Sequence, residues 1–180
     1  VNPLPVITTG LPINLCQNAS PIQLTGATPI GGTWSGAGVT SGGLFNPGSQ
    51  PVGTINLTYT YTNPITNCVN SGSQTINIIA PPVISITSPI FICNTPGLVN
   101  LNTVAAPSPA GGAWFGPFIS GGQNFNPVAA GTGIFTVYYT YQGATTCADT
   151  VPMIINVILP AIAYAGPDTA LCVNASPLVL

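Results

Sequence analysis

The chain has no lysine, no arginine and no histidine, and its only acidic side chains are Asp149 and Asp168. An ordinary globular chain is roughly a quarter charged, so several classes of function fall away at once. Nucleic-acid binding neutralises phosphates with cations and releases counterions, and no cation is present. The same absence removes attraction to an anionic membrane surface. General acid–base catalysis needs a positioned group that titrates near working pH, and two aspartates in separate segments do not make such a pair. A serine or threonine nucleophile would have no base beside it. Calcium clamps between modules need several carboxylates. The expectation is a protein that is not an enzyme, with no catalytic residue, no cofactor, no metal site and no nucleic-acid partner.

Long hydrophobic runs are scarce as well. The longest, "VPMIINVILPAIAYAG" at 151–166, is interrupted by Pro152, Asn156 and Pro160 and falls short of the roughly 18 apolar residues that a spanning helix needs. It reads as two strands meeting at a linker, so no membrane insertion is expected within this segment. No secretory signal is visible, which places any targeting segment outside these residues or among those removed. Disorder is not expected either, because 46% of the residues are hydrophobic and the net charge is only −2, the reverse of the disordered signature.

What the chain does have is a repeat. Cys16, Cys93 and Cys172 lie 77 and 79 residues apart. Trp34 and Trp114, Phe45 and Phe125, Tyr59 and Tyr139, and Tyr61 and Tyr141 are each 80 apart, and Cys68 and Cys147 are 79 apart. Internal self-similarity of this kind governs the architecture. It divides the chain into a first repeat at 1–81, a second at 82–159 and the opening strands of a third at 160–180, where "CVNASPLVL" echoes "CQNASPIQL". The second repeat carries "NTVAAPSPA" where the first has the shorter "TGATPI", an insertion that a turn would absorb. "APP" at 80–82 and "LP" at 159–160 occupy matching joints, and proline stiffens such linkers. An extended row of modules is expected.

Within a repeat the pattern is β throughout. In "TINLTYTYT" Ile55, Leu57, Tyr59 and Tyr61 share one face while threonines and Asn56 take the other, the period-2 signature of a half-buried strand. A short polar turn and a second apolar-alternating run follow, as in a hairpin. Punctuation by glycine, proline and asparagine gives about seven short strands per repeat. Two packed antiparallel sheets best bury such faces. The expected fold is all-β, a tandem of antiparallel β-sandwich repeats.

Five cysteines at repeat-matched positions suggest one pair per repeat, Cys16 with Cys68 and Cys93 with Cys147, with Cys172 left for a partner beyond Leu180. Such a bond would close about 50 residues and add roughly 4 kcal/mol in the chain-entropy model, and it would imply an oxidising compartment. Two alternatives stay open: five reduced core thiols, or an inter-repeat link between Cys68 and Cys93. There is no CxxC and no histidine to suggest metal.

The stretches "GGTWSGAGVTSGGLFNP" at 31–47 and "GGAWFGPFISGGQNFNP" at 111–127 admit two readings. A glycine-flanked Trp34 or Trp114 could stack on a sugar ring, or each could anchor the core of its sandwich against a disulfide. Recurrence in both repeats favours the anchor. Phe45 and Phe125 then read as core aromatics entering a turn, with Tyr59, Tyr61, Tyr139 and Tyr141 on the buried strand face. Neither glycine cluster has the spacing or the lysine of a phosphate loop.

The order Cys, "GGxW", "FNP", "YxYT", Cys and "TINI" resembles the tandem immunoglobulin-like or PKD-like repeats of very large cell-surface proteins of Bacteroidetes, including gliding-motility adhesins exported by the type IX system. The resemblance covers essentially the whole chain. Acidic turns of the PKD type are absent, so immunoglobulin-like is the label that fits. Tyr61 precedes Cys68 by seven residues, so the tyrosine corner of antibody domains is not carried over. The resemblance implies an extracellular, cell-surface stalk whose partners are neighbouring repeats of the same chain. It also implies that Thr150 and Thr169, in "DTV" and "DTA", are candidate O-glycosylation sites carrying a glycan. The sequons at Asn18, Asn56 and Asn174 matter only in an N-glycosylating host. Two other functions remain in view: a filament subunit in which identical chains join by strand complementation, and a carbohydrate-binding module of a secreted protein.

Overall fold

A computed structural model describes residues 2–143 and 146–162. Strands β1 (Ile13–Cys16), β2 (Ile22–Gln23), β3 (Thr33–Ser35), β4 (Leu44–Phe45), β5 (Gly53–Thr62) and β6 (Val69–Ile79) build the first unit. Strands β7 (Ile90–Cys93), β8 (Val99–Asn100), β9 (Ala113–Phe115), β10 (Ile119–Ser120), β11 (Asn124–Phe125), β12 (Gly133–Gln142) and β13 (Ala148–Ile158) build the second. The larger sheet runs β1-β6-β5-β3 in the first unit and β7-β13-β12-β9 in the second; the smaller ones are β2-β4 and β10-β11-β8. The chain is an all-β protein of sandwich units.

The dominant hairpins, β5–β6 and β12–β13, form because alternate residues are apolar. Leu57 and Tyr59, and likewise Val137 and Tyr139, are buried while the residues between them face outward. The burial follows the pleat. Each unit has its own core: Trp34, Phe45, Leu57, Tyr59, Ile76 and Ile78 gather in the first, and Trp114, Phe125, Val137, Tyr139, Met153 and Ile155 in the second.

Two expectations are corrected. The larger sheets are not wholly antiparallel, because β1 pairs parallel with β6 and β7 parallel with β13. The reason lies in how the chain enters. Thr8 first bridges Thr28, Thr9 Oγ1 donates to the Ser73 carbonyl at 2.6 Å, and the chain then crosses to run beside the last strand in the same direction. Gln74, buried within β6, holds that crossing by donating from Nε2 to the Leu11 carbonyl at 2.6 Å. Its counterpart in β13 is the buried Met153.

The insertion in the second unit is the other correction. Its first residues form a single helical turn with the preceding Leu101, α1 (Leu101–Val104), capped by the Asn100 side chain, and it sinks Ala105 into the core beside Leu101. The added residues therefore supply packing.

"FNP" has one structural job in both units. Phe45 and Phe125 are fully buried. Asn46 and Asn126 accept backbone N–H bonds as N-caps, and Pro47 and Pro127 start a helical turn, Pro47–Ser49 in the first unit and α2 (Pro127–Ala130) in the second. Proline suits a first helical position because its missing N–H would be unpaired there anyway.

Candidate functional site: the junction between the units

The glycine-rich stretches are construction elements. Tyr59 Oη donates to the Pro29 carbonyl and accepts from Gly32 N–H, both at 2.7 Å. Tyr139 does the same with Pro109 and Gly112, both at 2.8 Å. Gly31 and Gly111 adopt φ of +97° and +92°, a region that glycine enters at no steric cost. A Cβ on Gly32 would lie 2.5 Å from the Thr60 carbonyl oxygen, and one on Gly112 would lie 2.5 Å from the Tyr139 ring. The double glycine thus lets a turn lie flat on a tyrosine whose hydroxyl satisfies it.

Trp34 and Trp114 pair across strands with these same tyrosines, at ring-centroid distances of 5.0 and 4.8 Å. They are 6% and 2% exposed, which leaves neither face free for a sugar. The indole Nε1 of Trp114 donates to Asn102 Oδ1 at 2.7 Å, a partner supplied by the inserted turn. Tyr61 and Tyr141 are half-buried at the margin of each core.

The cysteine pairing departs from expectation. Cys16 is bonded to Cys147, across the two units, with Cα atoms 5.4 Å apart, while Cys68 and Cys93 are free thiols. The pairing within a repeat fails on geometry. Cys16 lies opposite Ile79 at the C-terminal end of β6, whereas Cys68 immediately precedes Val69 at its other end. Ten residue steps of strand separate the two ends by about 33 Å, and a disulfide needs Cα atoms within about 7 Å. Cys93, opposite Ile158, and Cys147, just before Ala148, are parted in the same way along β13. Each unit therefore carries a first-strand cysteine at one pole and a hairpin cysteine at the other, and the bond joins opposite poles of successive units. The weighed link between Cys68 and Cys93 is not formed either.

More than the bond holds the junction. Asn18 Nδ2 donates to the Ala148 carbonyl at 2.9 Å. Cys147 is fully buried, with its Sγ 3.9 Å from the Ile79 carbonyl oxygen. The sequon at Asn18 thus spends its amide on the neighbouring unit. Asn56 is exposed on β5 and accepts from Thr75 Oγ1. Thr150 is exposed on β13 beside Asp149. Cys172, Thr169 and Asn174, and all but the first three residues of the expected third repeat, lie outside the described residues.

The outward faces of the two larger sheets differ in chemistry. In the first unit Thr54, Asn56, Thr75, Asn77 and Asn14 form a ladder of side-chain hydrogen bonds. At the same places in the second unit stand Ile134, Ile154 and Phe91, exposed, with Phe115 stacked on Tyr138 at 5.4 Å nearby. A surface depression of about 300 Å³ is lined by Pro96, Gly97, Leu98, Asn126 and Val128. It contains no group that could move a proton.

No protein-family model matches the chain, and no curated protein matches it. Among solved structures it is similar to cadherin repeats. A protocadherin gammaB7 EC3-6 cis-dimer is 14% identical with a TM-score of 0.33, covering 87% of this chain and 47% of that one. Extracellular cadherin domains 3–6 of protocadherin gamma B2 are 13% identical with a TM-score of 0.30, covering 85% and 46%. Drosophila N-cadherin EC1-4 is 12% identical with a TM-score of 0.32, covering 83% and 48%. The chain thus spans about half the length of each, and these are remote likenesses.

Proposed function

We propose that the chain is a length of an extracellular stalk, non-enzymatic, in which sandwich units are stapled pole to pole so that tension bypasses most of their strands. The observation that carries this is the Cys16–Cys147 bond. Force applied along the chain enters at the first strand, crosses the bond and leaves through β13. Residues 17–146 are enclosed by the staple and lie outside the covalent load path. A bond of this kind belongs to an oxidising compartment, which supports an exported location. No helix among the described residues is long and apolar enough to cross a membrane.

The cell-surface adhesin setting implied by the sequence resemblance fits such a device, because an adhesin must hold length under load. Neighbouring units of the same chain are its first partners. Glycans at Thr150 and Thr169 belong to this proposal, and intact mass of native material tests them: no added hexose on either would remove them. The stalk itself is tested by expressing the parent gene product with a tag before and after this segment and pulling on live cells. Loss of adhesion strength on C16S or C147S, with surface amount unchanged, is expected.

A second reading, a carbohydrate-binding module, is favoured by one observation: the stacked, partly exposed Phe115 and Tyr138. Aromatic planes of this sort suit sugar rings. Affinity electrophoresis against soluble polysaccharides discriminates. Retardation abolished by F115A and Y138A would support the module, and unretarded wild type removes it.

A further inference from the structure

Cys93 and Cys68 are the two cysteines that the described junction leaves unused. Each sits where a bonded cysteine sits in the other unit. Cys93 ends β7 opposite Ile158, and Asn94 N–H donates to the Ile158 carbonyl at 2.8 Å. Cys16 ends β1 opposite Ile79, and Gln17 N–H donates to the Ile79 carbonyl at 2.9 Å. Cys68 closes the β5–β6 hairpin, its carbonyl accepting from Asn63 N–H, and immediately precedes β6 as Cys147 precedes β13. The strand ends that place the bonded sulfurs are therefore built twice. Only the facing unit differs: Cys147 is buried where a neighbour covers it, while Cys93 is exposed and Cys68 half-exposed.

We propose that Cys93 and Cys68 are the open halves of the same staple. Cys93 takes the hairpin cysteine of a following unit of this repeat in the same chain, and Cys68 takes the first-strand cysteine of a preceding one. Every junction of a row then carries one disulfide between successive units, and none lies within a unit. This rests on the stalk proposed above. Its chemistry needs a disulfide oxidant of the exporting compartment. The Cys93 thiolate attacks the oxidant's disulfide and releases one thiol. The hairpin thiolate then displaces the second thiol, so the two protein sulfurs lose two electrons and two protons, and the oxidant becomes a dithiol.

The test is a concatemer of the whole chain. Residues 1–162 of one copy are continued by residues 7–180 of a second, because Ile162 stands ten residues before Cys172 as Val6 stands ten before Cys16. C68S in the first copy, with C93S and C172S in the second, leaves one cysteine couple at the new junction beside the two Cys16–Cys147 couples. Oxidised glutathione is the oxidant. The expected result is no free thiol, with a cross-linked peptide joining Cys93 of the first copy to Cys68 of the second. Two free thiols per molecule with both Cys16–Cys147 bonds intact would overturn the proposal while sparing the stalk. Absence of the Cys16–Cys147 peptides would overturn both.

A second arm fixes the source of the partner. Separate chains, C68S/C172S mixed with C93S/C172S at the same concentration, should remain unlinked while the concatemer closes, since the linker holds the two sulfurs at high effective concentration. A covalent heterodimer forming as fast would assign the bond to separate copies and overturn the same-chain claim.

Discussion

Pulling on the two ends of the chain should give opposite results with and without the Cys16–Cys147 bond. In the oxidised molecule the load passes through residues 1–16, the bond and residues 147–180. That path holds 50 residues, and a fully extended chain spans at most about 3.3–3.6 Å per residue, so extension stops near 170 Å whatever unfolds. Reduction, or C16S, returns the enclosed segment to the path. With a sequence separation of 131, roughly 450 Å of contour length becomes available, released as the two sandwiches give way. Single-molecule force spectroscopy with fusion handles at both ends reads this directly. Oxidised molecules should show a short, stiff response, and reduced molecules should show unfolding events that together add about that length. Oxidised wild-type chains that extend well past 170 Å before detaching would refute the bypass. So would reduced chains with an unchanged contour.

Other perturbations test the parts. Tyr139→Phe leaves the Gly112 N–H and the Pro109 carbonyl without their partner, which should destabilise the second unit by about 1–3 kcal/mol in urea denaturation. Tyr59→Phe should do the same to the first unit. Asn102→Ala removes the acceptor of the Trp114 indole and should cost on the order of 1 kcal/mol, with a shift in emission that a Trp34-only variant lacks. Both tryptophans should be shielded from acrylamide, and quenching at the rate of free indole would contradict their place in the cores. The chain has no histidine, the side chain that ordinarily changes charge between about pH 5 and 7. The melting temperature should therefore stay level across that interval, and a steep slope there would refute this expectation.

The fold was legible in the sequence wherever one residue type has one physical use. "TINLTYTYT" spells its own burial because side chains alternate along a strand. Asn-Pro after a phenylalanine announces a capped turn, and the GG before each tryptophan announced a tight one, although its tyrosine clamp lies 27 residues further on and no local signal joins them. The cysteine pairing was out of reach for a different reason. Repeat spacing says that Cys16 and Cys93 are equivalent, but which sulfur meets which depends on β1 lying parallel to β6. That register puts Cys16 and Cys68 at opposite poles, and it follows from a chain crossing stabilised by Gln74 and Thr9. A signal was available where "NTVAAPSPA" follows Leu101, since the Leu-x-x-x-Ala step from Leu101 to the inserted Ala105 fits one helical turn with a buried side. The apolar face of the second unit was readable too, from Ile134 and Tyr138 standing where the first unit has Thr54 and Thr58.

The most direct test of the account is the disulfide map of the unreduced protein. With no lysine or arginine, trypsin has nothing to cut, so chymotrypsin or pepsin is used, with free thiols alkylated beforehand and the digest read by mass spectrometry. One cross-linked species is expected, joining the Cys16 peptide to the Cys147 peptide. Peptides joining Cys16 to Cys68, or Cys93 to Cys147, would contradict it.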